Sequence, residues 1–435
     1  MQIPFTKTTL PNGLDVIVHE DHQVPIAAVS VWYHVGSKNE RPGLTGLAHL
    51  FEHLMFEGSA HQPSGYFAPL QEAGGSVNGS TSTDRTNYWE LVPAGAIELA
   101  LWMEADRMGW LLPALSVARF ETQRGVVLNE RRQSYENRPY GLAQFALMEA
   151  IFPPEHPYHW PTIGYPDDLR AASIDDVRAF FLRYYHPSNA SLVVAGDVDT
   201  EATVRMVASL FGEIPPGPQV DPVIAPRVTA SARRIVQVDR VELPRLYMAW
   251  PSALHFSPGD AELDLVADLL GNGRTSRLYK RLIHDRRIAT ELSAGQTSRE
   301  IGGTFQIVAS AAPGHTLDEL HVAICEEIAR FVDEGPTADE LDRGRAHAEA
   351  SFVYRLQSLG GFGGKADQLN AYNVYLGSPQ GFDADLERYV SATPDRLREA
   401  AGRWIDPASA VALSVVPLGA TQLALEGAAP VEVAR

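Results

Sequence analysis

Within five residues the chain carries His49, Glu52 and His53, in the order His-x-x-Glu-His. At about 100° per residue, two histidines so spaced on a helix fall roughly 40° apart, and Glu52 lies beside them on the same face. Neutral imidazoles one turn apart converge on a divalent metal. Zinc suits them, because a catalytic zinc takes three protein ligands and keeps a fourth position for water. One carboxylate from elsewhere in the chain must then complete the set. Glu52 stays unbound, and a carboxylate beside a metal-activated water is placed to act as general base.

The neighbouring residues predict the helix that this chemistry needs. Leu47, Leu50, Phe51, Leu54 and Met55 make an apolar stripe at helical spacing. Thr45 stands where a cap belongs and Gly58 where the helix would stop. The motif is the reverse of His-Glu-x-x-His and is called the inverzincin pattern.

Composition narrows the function classes. A length of 435 residues exceeds one core and implies two to four domains. With 45% hydrophobic and 21% charged residues, the chain reads as globular. Its net charge of −18 argues against nucleic acid and anionic membrane partners. The single Cys325 excludes an intrachain disulfide framework and a cysteine-ligated metal cluster. No apolar run approaches the ~18 residues of a membrane span. The first residues carry no basic segment followed by an apolar core, so the cytoplasm is expected for the chain as given, and the periplasm if a leader has been removed.

Strands fill the first forty residues. Asn12-Gly13 marks a hairpin before Val16-Ile17-Val18, and Ala27 to Val35 reads as a buried strand. After the histidine helix, Gly65 to Ala73 is helical, Gly74-Gly75 breaks it, and Ser76 to Val92 alternates like an antiparallel strand pair. A strand beside a metal helix can take an extended peptide onto its edge. Asn78, Ser80, Thr81, Ser82 and Tyr88 are therefore the candidate substrate contacts. Helices follow over Ala96 to Trp110 and, longer, from a Ser116 cap through Phe120, Val127 and Glu130 toward Arg138-Pro139.

Further on, Ile214-Pro215-Pro216-Gly217-Pro218 with Pro222 and Pro226 reads as a linker. A shift of 220 residues lays Ser173-x-Asp175-x-Val177-Arg178 on Thr393-x-Asp395-x-Leu397-Arg398, and Arg183-x-x-x-Pro187-x-x-Ala190 on Arg403-x-x-x-Pro407-x-x-Ala410. The expected fold class is α+β, with two similar domains, each an antiparallel-rich sheet with helices packed on it. The expected division is a zinc-binding catalytic domain at 1–213, a linker at 214–230, and a second, non-metal-binding repeat domain at 231–435.

Taken together, Gly43-Leu44-x-x-Leu47-Ala48-His49-x-x-Glu52-His53-x-x-Phe56-Glu57-Gly58, Asn78 to Tyr88, Val126-Val127-Leu128-Asn129-Glu130 and Gly273-Arg274-x-Ser276-Arg277-Leu278 resemble the M16 (pitrilysin-like) zinc peptidases. The likeness is to the short two-domain group that includes the mitochondrial processing peptidase β subunit and its bacterial relatives, and it spans essentially the whole chain. It implies one zinc ion per chain, held by His49, His53 and Glu130, the last placed after 76 intervening residues, with Glu52 as general base. Many relatives carry a second glutamate seven residues before the ligand, where this chain has Gln123. Active members also use an arginine and a tyrosine seven residues apart in the second domain. Those places fall here on Ile283 and Thr290, and no register shift restores the pair.

The resemblance therefore implies a zinc-dependent endopeptidase that cuts peptides or unfolded protein segments, working as a hetero-oligomer with a related subunit that supplies the Arg/Tyr pair. In the family such assemblies enclose a chamber closed to folded proteins. The alternative is a non-catalytic structural or binding subunit, and a third reading is a zinc hydrolase of small non-peptide amides. His156-Pro157-Tyr158-His159 reads as loop packing, since Pro157 breaks helical geometry. Gly360 to Lys365 lacks phosphate-loop spacing and reads as a flexible turn between helices.

Overall fold

At Asn12-Gly13 the chain turns with Gly13 at φ 88°, pairing β1 (Thr6–Thr9) antiparallel to β2 (Asp15–Glu20) as the hairpin signal implies. The computed structural model describes residues 2–433. The first sheet adds β3 (Ile26–Tyr33), β4 (Ser76–Thr81), β5 (Thr86–Pro93) and β6 (Ala190–Gly196), in the order β1-β2-β6-β3-β5-β4. The second comprises β7 (Arg233–Asp239), β8 (Arg245–Ser252), β9 (Ala289–Ser298), β10 (Gly303–Ala311), β11 (Val411–Pro417) and β12 (Ala429–Pro430), in the order β12-β7-β11-β8-β10-β9. The two orders superimpose strand for strand. In each, one parallel pair, β2 with β6 or β7 with β11, sits in an otherwise antiparallel inner sheet. The outermost strands differ, because β1 runs antiparallel to β2 and β12 parallel to β7.

The repeated helix–proline–strand unit is present in both copies. Helix Ile174–Tyr184 starts on Ser173, whose hydroxyl accepts from Asp176 N, and leads to β6. Helix Pro394–Trp404 starts on Thr393 in the same way and leads to β11. The fold is thus α+β with two similar six-stranded sheets. Residues 214–230 carry no regular secondary structure.

Two compact units result, each drawn from three segments. One comprises Met1–Asn129, Pro161–Val223 and Ser351–Ala384; the other comprises Glu130–Trp160, Ile224–Ala350 and Asp385–Arg435. A single cut at the proline-rich stretch does not yield them, because two helical segments pack outside their own half of the chain. In the second unit, helix Ala143–Ile151 buries Ala143, Leu147 and Ile151 against β8 and β11. In the first, helix Lys365–Leu376 lies on β3 and β6. Its Asn370 donates to Ser30 O at 2.9 Å, and its Asn373 donates to Asp15 and Ser191 at 2.9 Å each. No helix among the described residues is long and apolar enough to cross a membrane.

Below β5 the first unit buries a charged cluster. Arg107, 1% exposed, pairs with Glu104 and Glu90, both fully buried, while its guanidinium lies 3.9 Å from the ring centroids of both Tyr66 and Tyr88. Burial first, then the Glu104 charge, push the Glu90 carboxyl well above the ordinary carboxylate range. The guanidinium is the cation between two buried acids, so Arg107→Ala is expected to destabilise the fold by about 3–5 kcal/mol, read as a fall in the denaturation midpoint.

The second unit holds a different buried acid. Asp264, on helix Asp260–Gly271, accepts the Tyr389 hydroxyl at 2.7 Å, and burial raises its carboxyl from 3.8 to about 7. A raised carboxyl favours the protonated folded state, so this contribution to stability is complete below about pH 3.8 and is lost as pH rises through 7. Asp264→Asn is expected to flatten that part of the stability–pH curve, by at most ~1.4 kcal/mol per pH unit, in denaturant melts from pH 4 to 8.

Candidate metal centre

His49 and His53 stand on helix Leu47–Leu54, whose Leu47, Leu50, Phe51 and Leu54 are buried. Phe51 stacks on Phe180, Phe181 and Tyr185 and fixes the rotation of the helix. The start of this helix differs from the sequence expectation. Thr45 does not cap it: its hydroxyl donates to Asp168 at 2.7 Å and accepts from Tyr165 N at 2.9 Å. Glu40 takes the first turn instead, its carboxylate accepting Gly46 N at 2.9 Å and Ala48 N at 2.8 Å. A carboxylate there satisfies two orphan donors and complements the helix dipole. Gly46 is left-handed at φ 89°, and a Cβ on it would come within 2.9 Å of Ile163 O. Past the helix end, Gly58 turns the chain at φ 106°.

Glu130 arrives on the last turn of helix Val117–Arg131, which Ser116 starts by accepting Arg119 N at 3.2 Å. One ligand atom each from His49, His53 and Glu130 all lie within 4.8 Å of one another, and all three residues are partly buried. The two imidazole rings stand 4.9 Å apart at 79°. Two imidazoles and a carboxylate, converging and partly screened from water, fit a three-ligand zinc site of the catalytic type. The sequence by itself leaves the third ligand open among 54 acids; among the described residues, Glu130 is the one whose carboxylate joins the two histidines in such a group.

Glu52 is held separately. Thr81 donates its hydroxyl to Glu52 Oε2 at 2.7 Å. The charge of Glu52 adds to burial in raising the Tyr185 and Tyr88 phenols, and that of Glu130 adds to burial in raising Tyr135. Gln123 donates its amide to Glu57 at 2.7 Å, so the neutral side chain satisfies a carboxylate that a second glutamate would repel.

Strand β4 lies at the edge of its sheet. Ser82 N donates to Arg85 O at 2.9 Å, which makes Ser80/Asn87 and Asn78/Trp89 the hydrogen-bonded pairs by alternation. The backbone groups of Val77, Gly79 and Thr81 then point away from β5, toward the open edge. Of the expected substrate contacts, Thr81 is joined to Glu52. Ser80 lies on the opposite face and donates to Asn87 at 2.7 Å. Asn78 accepts Gly79 N at 2.8 Å, and the Ser82 hydroxyl accepts Asp84 N and Arg85 N within the turn. Tyr88 is fully buried beside Arg107, so its ring serves the core.

In the second unit Ile283 lies on the π-helical turn Tyr279–Asp285 and Thr290 on β9. Two of the nearby arginines, Arg277 and Arg281, are committed to glutamates. Arg277 donates to Glu340 at 2.9 and 2.7 Å and to Gly335 O at 2.6 Å, and Arg281 bonds Glu327 at 3.2 Å and also Glu326. His156 is fully buried, accepting Tyr158 N at 3.0 Å, with burial lowering its imidazole to about 4. His159 Nδ1 bonds Phe152 O at 2.7 Å, so both serve the loop. In the glycine segment Gly360 is closely packed, since a Cβ on it would lie 2.8 Å from Ala28 Cβ, whereas one on Gly363 would meet nothing within 4 Å.

The family described as "Insulinase (Peptidase family M16)" matches residues 15–156, and "Peptidase M16 inactive domain" matches 171–347. The chain is 29% identical over 359 residues to the zinc protease PqqE of Helicobacter pylori, covering 80% of each. It is 24% identical over 350 residues to the mitochondrial-processing peptidase subunit beta of Blastocladiella emersonii, covering 78% of this chain and 74% of that one. A crystal structure of a protease from Helicobacter pylori superimposes with a TM-score of 0.87 at 25% identity, over 96% of this chain and 100% of that one. One of a peptidase M16 inactive domain from Pseudomonas fluorescens shares the fold with a TM-score of 0.84 at 18% identity, over 99% and 100%. With both halves matched and the fold shared throughout, the chain belongs to the M16 peptidase family.

Proposed function

We propose that the chain is the zinc-bearing subunit of an endopeptidase that hydrolyses extended peptides or unfolded protein segments. The observation that carries this reading is the convergence of His49, His53 and Glu130 within 4.8 Å, with Glu52 beside them and bound to Thr81 instead. A zinc ion held by the three would act as a Lewis acid and make its bound water acidic enough to react near neutral pH. Glu52 takes the proton from the attacking water and returns it to the leaving nitrogen. The open edge of β4 pairs with the peptide backbone, its Val77, Gly79 and Thr81 groups supplying the hydrogen bonds, while Asn78, Ser80 and Ser82 flank the bound strand.

A second subunit follows from what the second unit lacks. Ile283 has no hydrogen-bond donor and Thr290 offers only a short neutral hydroxyl in place of a cation or a phenol, and Arg277 and Arg281 are tied to glutamates. A related subunit supplies the missing arginine and tyrosine. The relative named a processing-peptidase subunit beta supports an assembly of this kind. The competing reading, a non-catalytic subunit, draws on the "inactive domain" description of residues 171–347. Zinc content separates the two readings.

The purified chain is expected to hold one zinc per chain by metal analysis, and His49→Ala or Glu130→Gln to reduce this to traces. Glu52→Gln is expected to keep the zinc and lower kcat by about 10²–10⁴-fold on peptide substrates. Cleavage is expected to require the M16-like partner, so full activity of the isolated chain would remove the two-subunit reading.

A further inference from the structure

We propose that Asp367, far from the metal ligands in sequence, is a positioning residue for the general base: it clamps edge strand β4 from the face opposite Glu52. The proposal rests on the reading of Glu52 as the base. Asp367 enters on helix Lys365–Leu376. Its Oδ1 accepts Trp32 Nε1 at 2.8 Å and Asn87 Nδ2 at 3.1 Å, and its Oδ2 accepts Gly363 N at 2.7 Å. Asn87, fully buried on β5, passes the constraint on, since its Oδ1 accepts the Ser80 hydroxyl at 2.7 Å. Arg85 closes the circuit: its Nη1 donates to Ser80 O at 2.9 Å and Ser80 Oγ at 2.6 Å, and its guanidinium lies 5.2 Å from the Trp32 ring centroid.

These five side chains form a closed ring on the sheet face away from the histidine helix. Side chains alternate across a strand, so the residue after Ser80 points to the other face, where Thr81 holds Glu52 at 2.7 Å. Fixing Ser80 from behind fixes the register and tilt of Thr81. An edge strand has one neighbour in its sheet and needs such a support. A catalytic group must be held to about 0.5 Å, and that precision comes from the groups behind it. The carboxylate suits this place because it accepts from three donors at once, two of them side chains from different strands. Removing it leaves Trp32 Nε1 and Asn87 Nδ2 without their acceptor and opens the ring.

Two readouts test the clamp in the full-length chain. By amide hydrogen exchange of the metal-free protein, Asp367→Ala is expected to speed exchange over residues 76–93 by ~10-fold while sparing the second sheet. In the zinc-loaded form that cleaves peptide, Asp367→Ala and Thr81→Val are each expected to lower kcat by ~10-fold with KM within about twofold. The double variant should also fall only ~10-fold, because both changes break one linkage. Asp367→Asn keeps an acceptor for Trp32 and Asn87 and is expected to recover most of the rate. Unchanged exchange over 76–93, or kcat losses that multiply to ~100-fold, would overturn the proposal. Should Asp367→Ala fail to fold, Ser80→Ala opens the same ring by removing one hydroxyl and is expected to show the same exchange and the same lack of additivity. If the wild-type chain together with its M16-like partner shows no zinc-dependent cleavage, the peptidase reading fails, and the exchange measurement still decides the clamp.

Discussion

Everything at the metal centre depends on keeping one eight-residue helix, Leu47–Leu54, in place. A helix this short does not persist in water, because the nucleation cost exceeds what two turns of hydrogen bonds return. Its stability comes from outside. The stripe Leu47, Leu50, Phe51 and Leu54 anchors one side, and Phe51 locks the rotation by stacking on three rings. Glu40 then satisfies the first amides, and Gly46 permits an approach that no Cβ would allow. The opposite side is thereby presented as His49, Glu52 and His53, with little freedom left in their direction.

The same architecture occurs twice with different chemistry. In each unit a helix follows the strand at the fourth place of the sheet order: Leu47–Leu54 after β3, and Asp260–Gly271 after β8. The first offers imidazoles. The second carries Asp260 and Asp264 at the same four-residue spacing, but Asp260 is occupied by Arg388 and Gln296 and Asp264 by Tyr389. Cross-links of side chains fill the second copy, whereas in the first His49 and His53 come together with Glu130. A fold does not specify its chemistry, and here two copies of one topology show it within a single chain.

How much of this was legible in the sequence depends on the range of the interaction. Local signals were faithful: the Asn12-Gly13 hairpin, the Ser116 cap and the β4–β5 pair all stand where composition and alternation put them. The 220-residue repeat was visible because the same cap, proline and strand recur in order. Interactions distant in sequence left no local trace. Glu40 displaces Thr45 at the helix start because Asp168, over a hundred residues away, takes the threonine hydroxyl. Asp367 reads as an ordinary early-helix acid, although it meets Trp32 and Asn87 across some 300 residues of chain. Glu130 was recoverable only through family spacing, since nothing in its own neighbourhood distinguishes it from other helix carboxylates.

The two sides of β4 show why the proposed peptidase site needs a whole sheet behind it. A strand that pairs with substrate must keep one edge open, so it forgoes half of its possible ladder hydrogen bonds. The same strand here supplies the hydroxyl that orients Glu52. Openness and precision conflict, and the conflict is resolved by bonding the strand through its faces. Behind β4 stand Asn87, Arg85 and Asp367, and in front Gly79 approaches so closely that a Cβ would meet Phe56 at 3.0 Å and Tyr88 at 2.9 Å. Arg107 in turn fixes Tyr88 and lies 5.6 Å from the Phe56 ring centroid, so the buried cation under β5 and the helix that carries the histidines share one contact surface. The edge can stay open because its rigidity comes from the two layers that enclose it.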